Sequence, residues 1–219
     1  MARPDPVPAA PVRTAAPGRP KDMEKASAIL EAARQLFTAH GFDGASMDQI
    51  AAAAGVSKLT VYSHYGDKDT LFSAVVKSYC ERNLPDSLFE SAPEVPIRER
   101  LLHVGRVFFT FISTPEAVAG HRMLCSPHTA ATRLPGKFWE AGPERVQQAL
   151  AELLRRRVAR GDLDIPDCAL AARQFLTLAK GELHARMVLG CCGQDDDAEM
   201  HVASAVDFFL RAYAPRPKT

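Results

Sequence analysis

Residues 46–65 read SMDQIAAAAGVSKLTVYSHY, and the reading of this stretch decides the fold. The Ser46 side chain can cap a helix while Gln49, three residues on, reaches back to the Ser46 backbone to close a capping box. Ile50 and Ala53 then share one face, the alanines keep the helix slim, and Gly55 supplies the left-handed backbone that ends it. Ser57 is a second cap, so a helix over 58–64 begins after a short turn and crosses the first at a steep angle. Val56 and Val61 are its inward anchors. Lys58, Leu59, Thr60, Tyr62, Ser63 and His64 are left outward, a set of small polar, aromatic and cationic groups with no acid among them.

Two short helices hinged in this way place the second in the major groove of double-stranded DNA, where hydroxyls and cations meet base edges and phosphates. Lys58 and Thr60, near the helix start with Ser57 at the cap beside them, are candidates for base contacts, and Leu59 for a thymine methyl. Tyr62 and His64 suit phosphate oxygens. Lys68, beyond the turn at Gly66 and the cap Asp67, is a further phosphate candidate as a compact point charge. Ser46 adds a helix N-terminus, which favours anions. The competing reading makes Tyr62 and Tyr65 core residues and the two lysines ordinary solvated charges; for Tyr65 the core reading is preferred.

Over 41–76 the chain reads GFDGASMDQIAAAAGVSKLTVYSHYGDKDTLFSAVV and closely resembles the N-terminal region of TetR-type transcriptional regulators. The matching features come in order: Gly41 and Phe42 after a first helix, Ser46 to Ile50 opening the second, Gly55 to Ser57 at the turn, then Tyr62, Tyr65, Lys68, Leu71 and Phe72. The resemblance covers about residues 21–76, and the rest of the chain shares only length and helicity with the family. It implies a homodimeric repressor, released from its operator by a small-molecule inducer. Family members often carry Gly, Arg or Pro where Leu59 stands, so the operator sequence does not carry over.

Charge does not point to DNA. Residues 21–80 hold six basic side chains (Lys21, Lys25, Arg34, Lys58, Lys68, Lys77) against seven acidic ones (Asp22, Glu24, Glu31, Asp43, Asp48, Asp67, Asp69). Affinity for phosphates must then come from where cations are placed rather than from their sum. Residues 1–20 carry Arg3, Arg13 and Arg19 with Asp5 as the one acid, and read either as a minor-groove arm or as a disordered Pro-rich tail. The whole chain, 219 residues with formal charge +1 and 24% charged side chains, has room for two units. A helix-turn-helix unit over 21–76 and a larger helical unit over 77–219 are expected. No apolar run approaches the about 20 residues of a membrane span, the N-terminus lacks a signal-peptide core, and a cytoplasmic location is expected.

Beyond Lys68 the apolar spacing is helical throughout, so the fold class is all-α. Asp67 caps a linking helix that Pro85 ends; a helix over 97–113 is apolar nearly all round and central; Pro115 opens a short one; helices follow over about 138–160, after Asp167, and over about 198–213. The last two long helices carry Ala171, Ala172, Ala179, Gly181 and Ala185, and Val202, Ala205, Val206, Phe209 and Leu210. Those faces are expected to form a four-helix bundle with a second copy across a twofold axis.

For the inducer site, Phe108, Phe111, Met123, Phe138, Trp139 and Phe175 are candidates for cavity walls, with Arg122, His121, His128 or His184 as polar anchors. Core packing explains the aromatics about equally well. Cys80, Cys125, Cys168, Cys191 and Cys192 form no zinc pattern, and no metal or cofactor is expected; Cys191 and Cys192, in GCCGQDDD, leave a thiol-based redox sensor open, though their acidic neighbours disfavour reactive thiolates. A helical-bundle enzyme lacks any nucleophile, base and orienting set. The stronger rival is a DNA-binding dimer without an inducer.

Overall fold

The computed structural model describes residues 19–90, 94–191 and 197–215, and all regular structure among them is helical. The tail over 1–18 and Cys192 lie outside the described residues. Helix α1 (Arg19–Gly44) begins two residues inside the stretch assigned to a tail. Gly41, at φ 70° and ψ 175°, breaks it near its end. Helix α2 (Met47–Ala53) has the expected cap: Gln49 N–H donates to Ser46 Oγ at 3.2 Å while Ser46 N–H donates to Gln49 Oε1 at 2.9 Å. Gly55, at φ 65°, makes the turn, and Ser57 caps α3 (Lys58–Tyr65) by accepting from Thr60 N–H. The buried face of α2 is Met47, Ile50 and Ala51; Ala53, expected beside Ile50, is exposed. Val61 is the anchor of α3 and meets Ile29, Ala33, Phe37 and Leu71 in one core.

Asp67 caps α4 (Lys68–Asn83), which leads from this unit into the larger one. A 3₁₀ turn (Asp86–Phe89) precedes α5 (Ile97–Ile112) and α6 (Pro115–Leu124). The single helix expected over 138–160 is two helices. After the short α7 (Pro127–Ala130), α8 (Leu134–Ala141) stops at Gly142, and Pro143, whose missing N–H suits a first turn, opens α9 (Pro143–Ala159). The break lets the chain pass close to α4: a Cβ on Gly142 would lie 2.8 Å from Cys80 Sγ.

Helices α10 (Cys168–Leu189) and α11 (Ala198–Tyr213) complete the larger unit, whose core runs through Leu101, Leu150, Leu154, Phe175, Val206 and Phe209. The faces expected to meet a second copy are largely spent inside the chain. Ala171, Ala172, Ala179, Val202, Ala205, Val206 and Phe209 are buried. Their small size serves α5, which approaches so closely that a Cβ on Gly105 would lie 2.8 Å from Val202 Cγ1. The large apolar side chains left outward are Leu170 and Leu189 on α10 and Met200 and Phe208 on α11.

Helix α10 is broken at Gly181 (φ 51°, ψ −165°), where the His201 ring of α11 sits in the gap and its Nε2 meets the Ala179 carbonyl oxygen at 3.1 Å. A Cβ there would lie 2.2 Å from the His201 ring, on a backbone that L side chains rarely adopt. Gly181→Ala should cost about 2 kcal/mol or more and lower the melting temperature by roughly 4–8 °C. An unchanged melting curve by circular dichroism would contradict this.

Candidate nucleic-acid interface and ligand cavity

The outward face of α3 carries Leu59, 78% exposed, with Tyr62 and Ser63 also exposed. A leucine this bare on an eight-residue helix contributes nothing to the core and leaves an apolar contact on offer. Lys58 is solvent-facing but engaged: its Nζ lies 2.8 Å from Asp48 Oδ1 on α2 and 5.9 Å from the Tyr62 ring centroid. Pairing with Asp48 holds the Lys58 ammonium above its ordinary pKa. The Thr60 hydroxyl bonds the Ser57 hydroxyl at 2.8 Å, so both sit on the α3 cap. Ser46 is exposed at the start of α2.

His64 and Lys68 have structural partners. The His64 side chain is 17% exposed and its Nε2 lies 3.1 Å from Asp22 Oδ1 on α1. Lys68 Nζ donates to the Phe42 carbonyl at 2.9 Å and the Ala45 carbonyl at 3.1 Å, and lies 4.3 Å from the Phe42 ring centroid. It satisfies carbonyls freed where Gly41 ends the helical course of α1. Tyr65 follows the core reading: half-buried, it donates to the Ala26 carbonyl at 3.3 Å. Asp48 and Asp22 were not singled out in the sequence, because partners ten and 42 positions away carry no local periodicity.

A second feature lies where the two units meet. A cavity of about 560 Å³ is walled by α1 (Arg34, Phe37), α4 (Phe72, Val75, Tyr79, Cys80) and the helices of the larger unit. Six of the eight residues expected there are present: Phe108, Phe111, Met123, Phe138, Trp139 and His184, with His121 beside them. Two are not. Phe175 is fully buried in the core, 5.2 Å from the Phe209 ring, and Arg122 turns away to donate to the Val188 and Met187 carbonyls at the end of α10. His128, on α7, pairs instead with Asp43 on the surface at 3.3 Å.

The polar lining that sequence reading missed lies largely on α10. There Arg173, Thr177 and Lys180 fall in step with the expected His184, recurring every three or four residues on a helix otherwise rich in apolar side chains, and that spacing was the available signal. The His121 and His184 rings meet edge to face, 5.3 Å apart. Burial drives the His184 pKa down to about 4, helped by nearby Lys180, and lowers those of His121 and Lys180. On the cavity wall, burial raises the Cys80 thiol to about 11. Of the pair considered for redox sensing, Cys191 is exposed, with its thiol 3.6 Å from the Arg186 carbonyl.

Residues 29–75 match the family model described as bacterial regulatory proteins, tetR family, and residues 99–215 that of the AefR-like transcriptional repressor, C-terminal domain. A structure described as a TetR-family transcriptional regulator of Mesorhizobium loti superposes with a TM-score of 0.74 at 26% identity, over 89% of this chain and 98% of that one. The flavonoid-responsive regulator FrrA gives 0.72 at 33% identity, over 89% of this chain and 100% of that one. The transcriptional repressor AcnR of Corynebacterium efficiens is 36% identical over 62 residues, which is 28% of this chain; the match spans 33% of AcnR's own length.

The depressed His184 pKa has a measurable consequence. Between its ordinary value of 6.5 and about 4, the unfolded chain binds a proton that the folded chain refuses. Stability should therefore fall as pH drops through that window and be fully retained above it. Urea unfolding at several pH values should show a shallower acid loss for His184→Phe than for the parent chain. Equal slopes would mean that the ring is not held neutral.

Proposed function

We infer that this chain, which belongs to the TetR family of bacterial regulatory proteins, represses transcription as a homodimer and leaves its operator when a small, largely apolar ligand fills the cavity. One observation carries the reading: the cavity walls come from both units, so an occupant touches α1 and α4 as well as α5, α6, α8, α9 and α10. About 560 Å³ is within the range of small-molecule sites. A ligand that prefers one disposition of α4 shifts the population of the reading heads. The similar regulator FrrA is flavonoid-responsive by name, which favours a ring-bearing ligand over a purely aliphatic one.

On the DNA side, Leu59 and Thr60 are assigned to bases, Tyr62 to a phosphate, and Ser46 and Ser57 to the two helix starts. Lys58 reaches DNA by exchanging Asp48 for a phosphate. His64 and Lys68 act first by fixing α3 to α1 and the α1 end to α4, and contact phosphates only as a secondary role. The second copy is assigned to the face of α10 and α11 that bears Leu170, Leu189, Met200 and Phe208. A dimer built there must hold its two α3 helices about 34–36 Å apart, one turn of DNA, to read a palindrome.

Three measurements test this. Light scattering on the eluting protein should give a dimer at micromolar concentration and a monomer for Phe208→Asp; a monomeric parent chain would refute the dimer. In anisotropy titrations, Asp48→Asn should bind random DNA several-fold more tightly and steepen the salt dependence by about one phosphate, because Lys58 is freed. No change would take Lys58 off the interface. With DNA selected from a random pool, naringenin or a similar flavonoid should weaken binding about tenfold or more. Ligand that quenches Trp139 while leaving DNA affinity untouched would sink the coupling.

A further inference from the structure

The charges on the cavity lining are unbalanced. Among the lining residues there is a single acid, Glu116, against the cations Arg34, Arg173 and Lys180. Glu116 lies 4.0 Å from Arg34, which Glu31 holds more tightly at 2.7 Å. Lys180 has no carboxylate within ion-pair distance among the described residues, although it is partly buried. A half-buried ammonium without a counter-charge is costly unless something else supplies one.

The neighbouring ring completes the picture. His184 is 3% exposed, lines the cavity, and its Nδ1 has no hydrogen-bond partner. The Ile112 backbone bonds the ring and raises its basicity, so the other nitrogen carries the proton and Nδ1 is a bare acceptor. A donor and an acceptor therefore stand four residues apart across the Gly181 break, Lys180 offering N–H groups and His184 a lone pair. Phe108, Phe111 and Phe138 supply apolar wall to the same cavity.

We propose that the cavity selects ligands bearing a weakly acidic hydroxyl, a phenol or a carboxylic acid, on an aromatic body. The hydroxyl donates to His184 Nδ1 while its oxygen accepts from Lys180 Nζ. The body lies among the phenylalanines. An ether or ester of the same shape leaves the His184 lone pair unanswered, and a buried polar group without its partner is what gives such sites their discrimination. This rests on the reading of the cavity as a ligand site and specifies its chemistry.

Isothermal titration calorimetry on the full chain, with two matched pairs, tests the assignment: 2-naphthol against 2-methoxynaphthalene, and 2-naphthoic acid against its methyl ester. At least one acidic member should bind about tenfold more tightly than its blocked partner. Lys180→Met and His184→Phe should each cut that preference severalfold while leaving the blocked compounds' affinity nearly unchanged, with folding checked by circular dichroism. The naphthol pair and the naphthoate pair separate phenol from carboxylate. Equal binding within both pairs, or a preference that survives both substitutions, overturns the proposal. Equal binding that still releases DNA leaves the inducer reading standing without this anchor; selective binding that leaves DNA bound does the reverse; no binding of any of the four removes both.

Discussion

The structure depends on one group of side chains, the rings of Phe37, Phe42 and Phe72, whose centroids lie 5.5–5.7 Å from one another. Such contacts are worth about 0.5–1.5 kcal/mol each beyond burial. Lys68 locks the group from above, with its ammonium over the Phe42 ring and two backbone carbonyls in its grasp. Phe37 and Phe42 belong to α1, before and after its break at Gly41, and Phe72 to α4. The group thus sets how the reading unit sits on the linking helix. Phe37 and Phe72 also line the cavity, so the same side chains serve as core of one unit and wall of the cavity. A ligand in the proposed site needs no long route to α3, because the side chains that orient α1 and α4 are its walls.

That arrangement explains how a segment with more acids than bases can serve as a DNA-reading head. Its cations are held in position, Lys58 by Asp48 and Lys68 by carbonyls, and what faces outward is an apolar and hydroxylic surface. For the proposed dimer, affinity then comes from shape and from presentation in duplicate rather than from net charge. In the proposed dimer, occupancy depends on the spacing of the two heads, which suits the proposed action of a ligand at the base of each head.

The local chemistry of the sequence was legible where its partners are near in the chain. The capping box at Ser46 and Gln49, the Gly55 turn, the Ser57 and Asp67 caps and the starts of α10 and α11 follow from residues within four positions of each other. What depends on distant partners was not. Arg122 reads as a polar anchor until α10 is seen to end beside it with two carbonyls to satisfy. Helix α10 is apolar on several sides, so nothing local says which stripe meets α5 and which faces outward; Ala171, Ala172 and Ala179, which suggested a partner helix, belong to the core, and Ala185 is exposed. The break at Gly142 needed the approach of Cys80 to be understood. Lys180 was passed over for the same reason, and only the fold brings the His121 ring of α6 against that of His184.

The central claim is that cavity and reading heads share one equilibrium, and thermodynamic reciprocity tests it most directly. The affinity of one cavity ligand would be measured by calorimetry for the free dimer and for the dimer saturated with selected DNA. The account predicts weaker ligand binding on DNA, by the same factor by which the ligand weakens DNA binding. Equal affinity in the two states would contradict it.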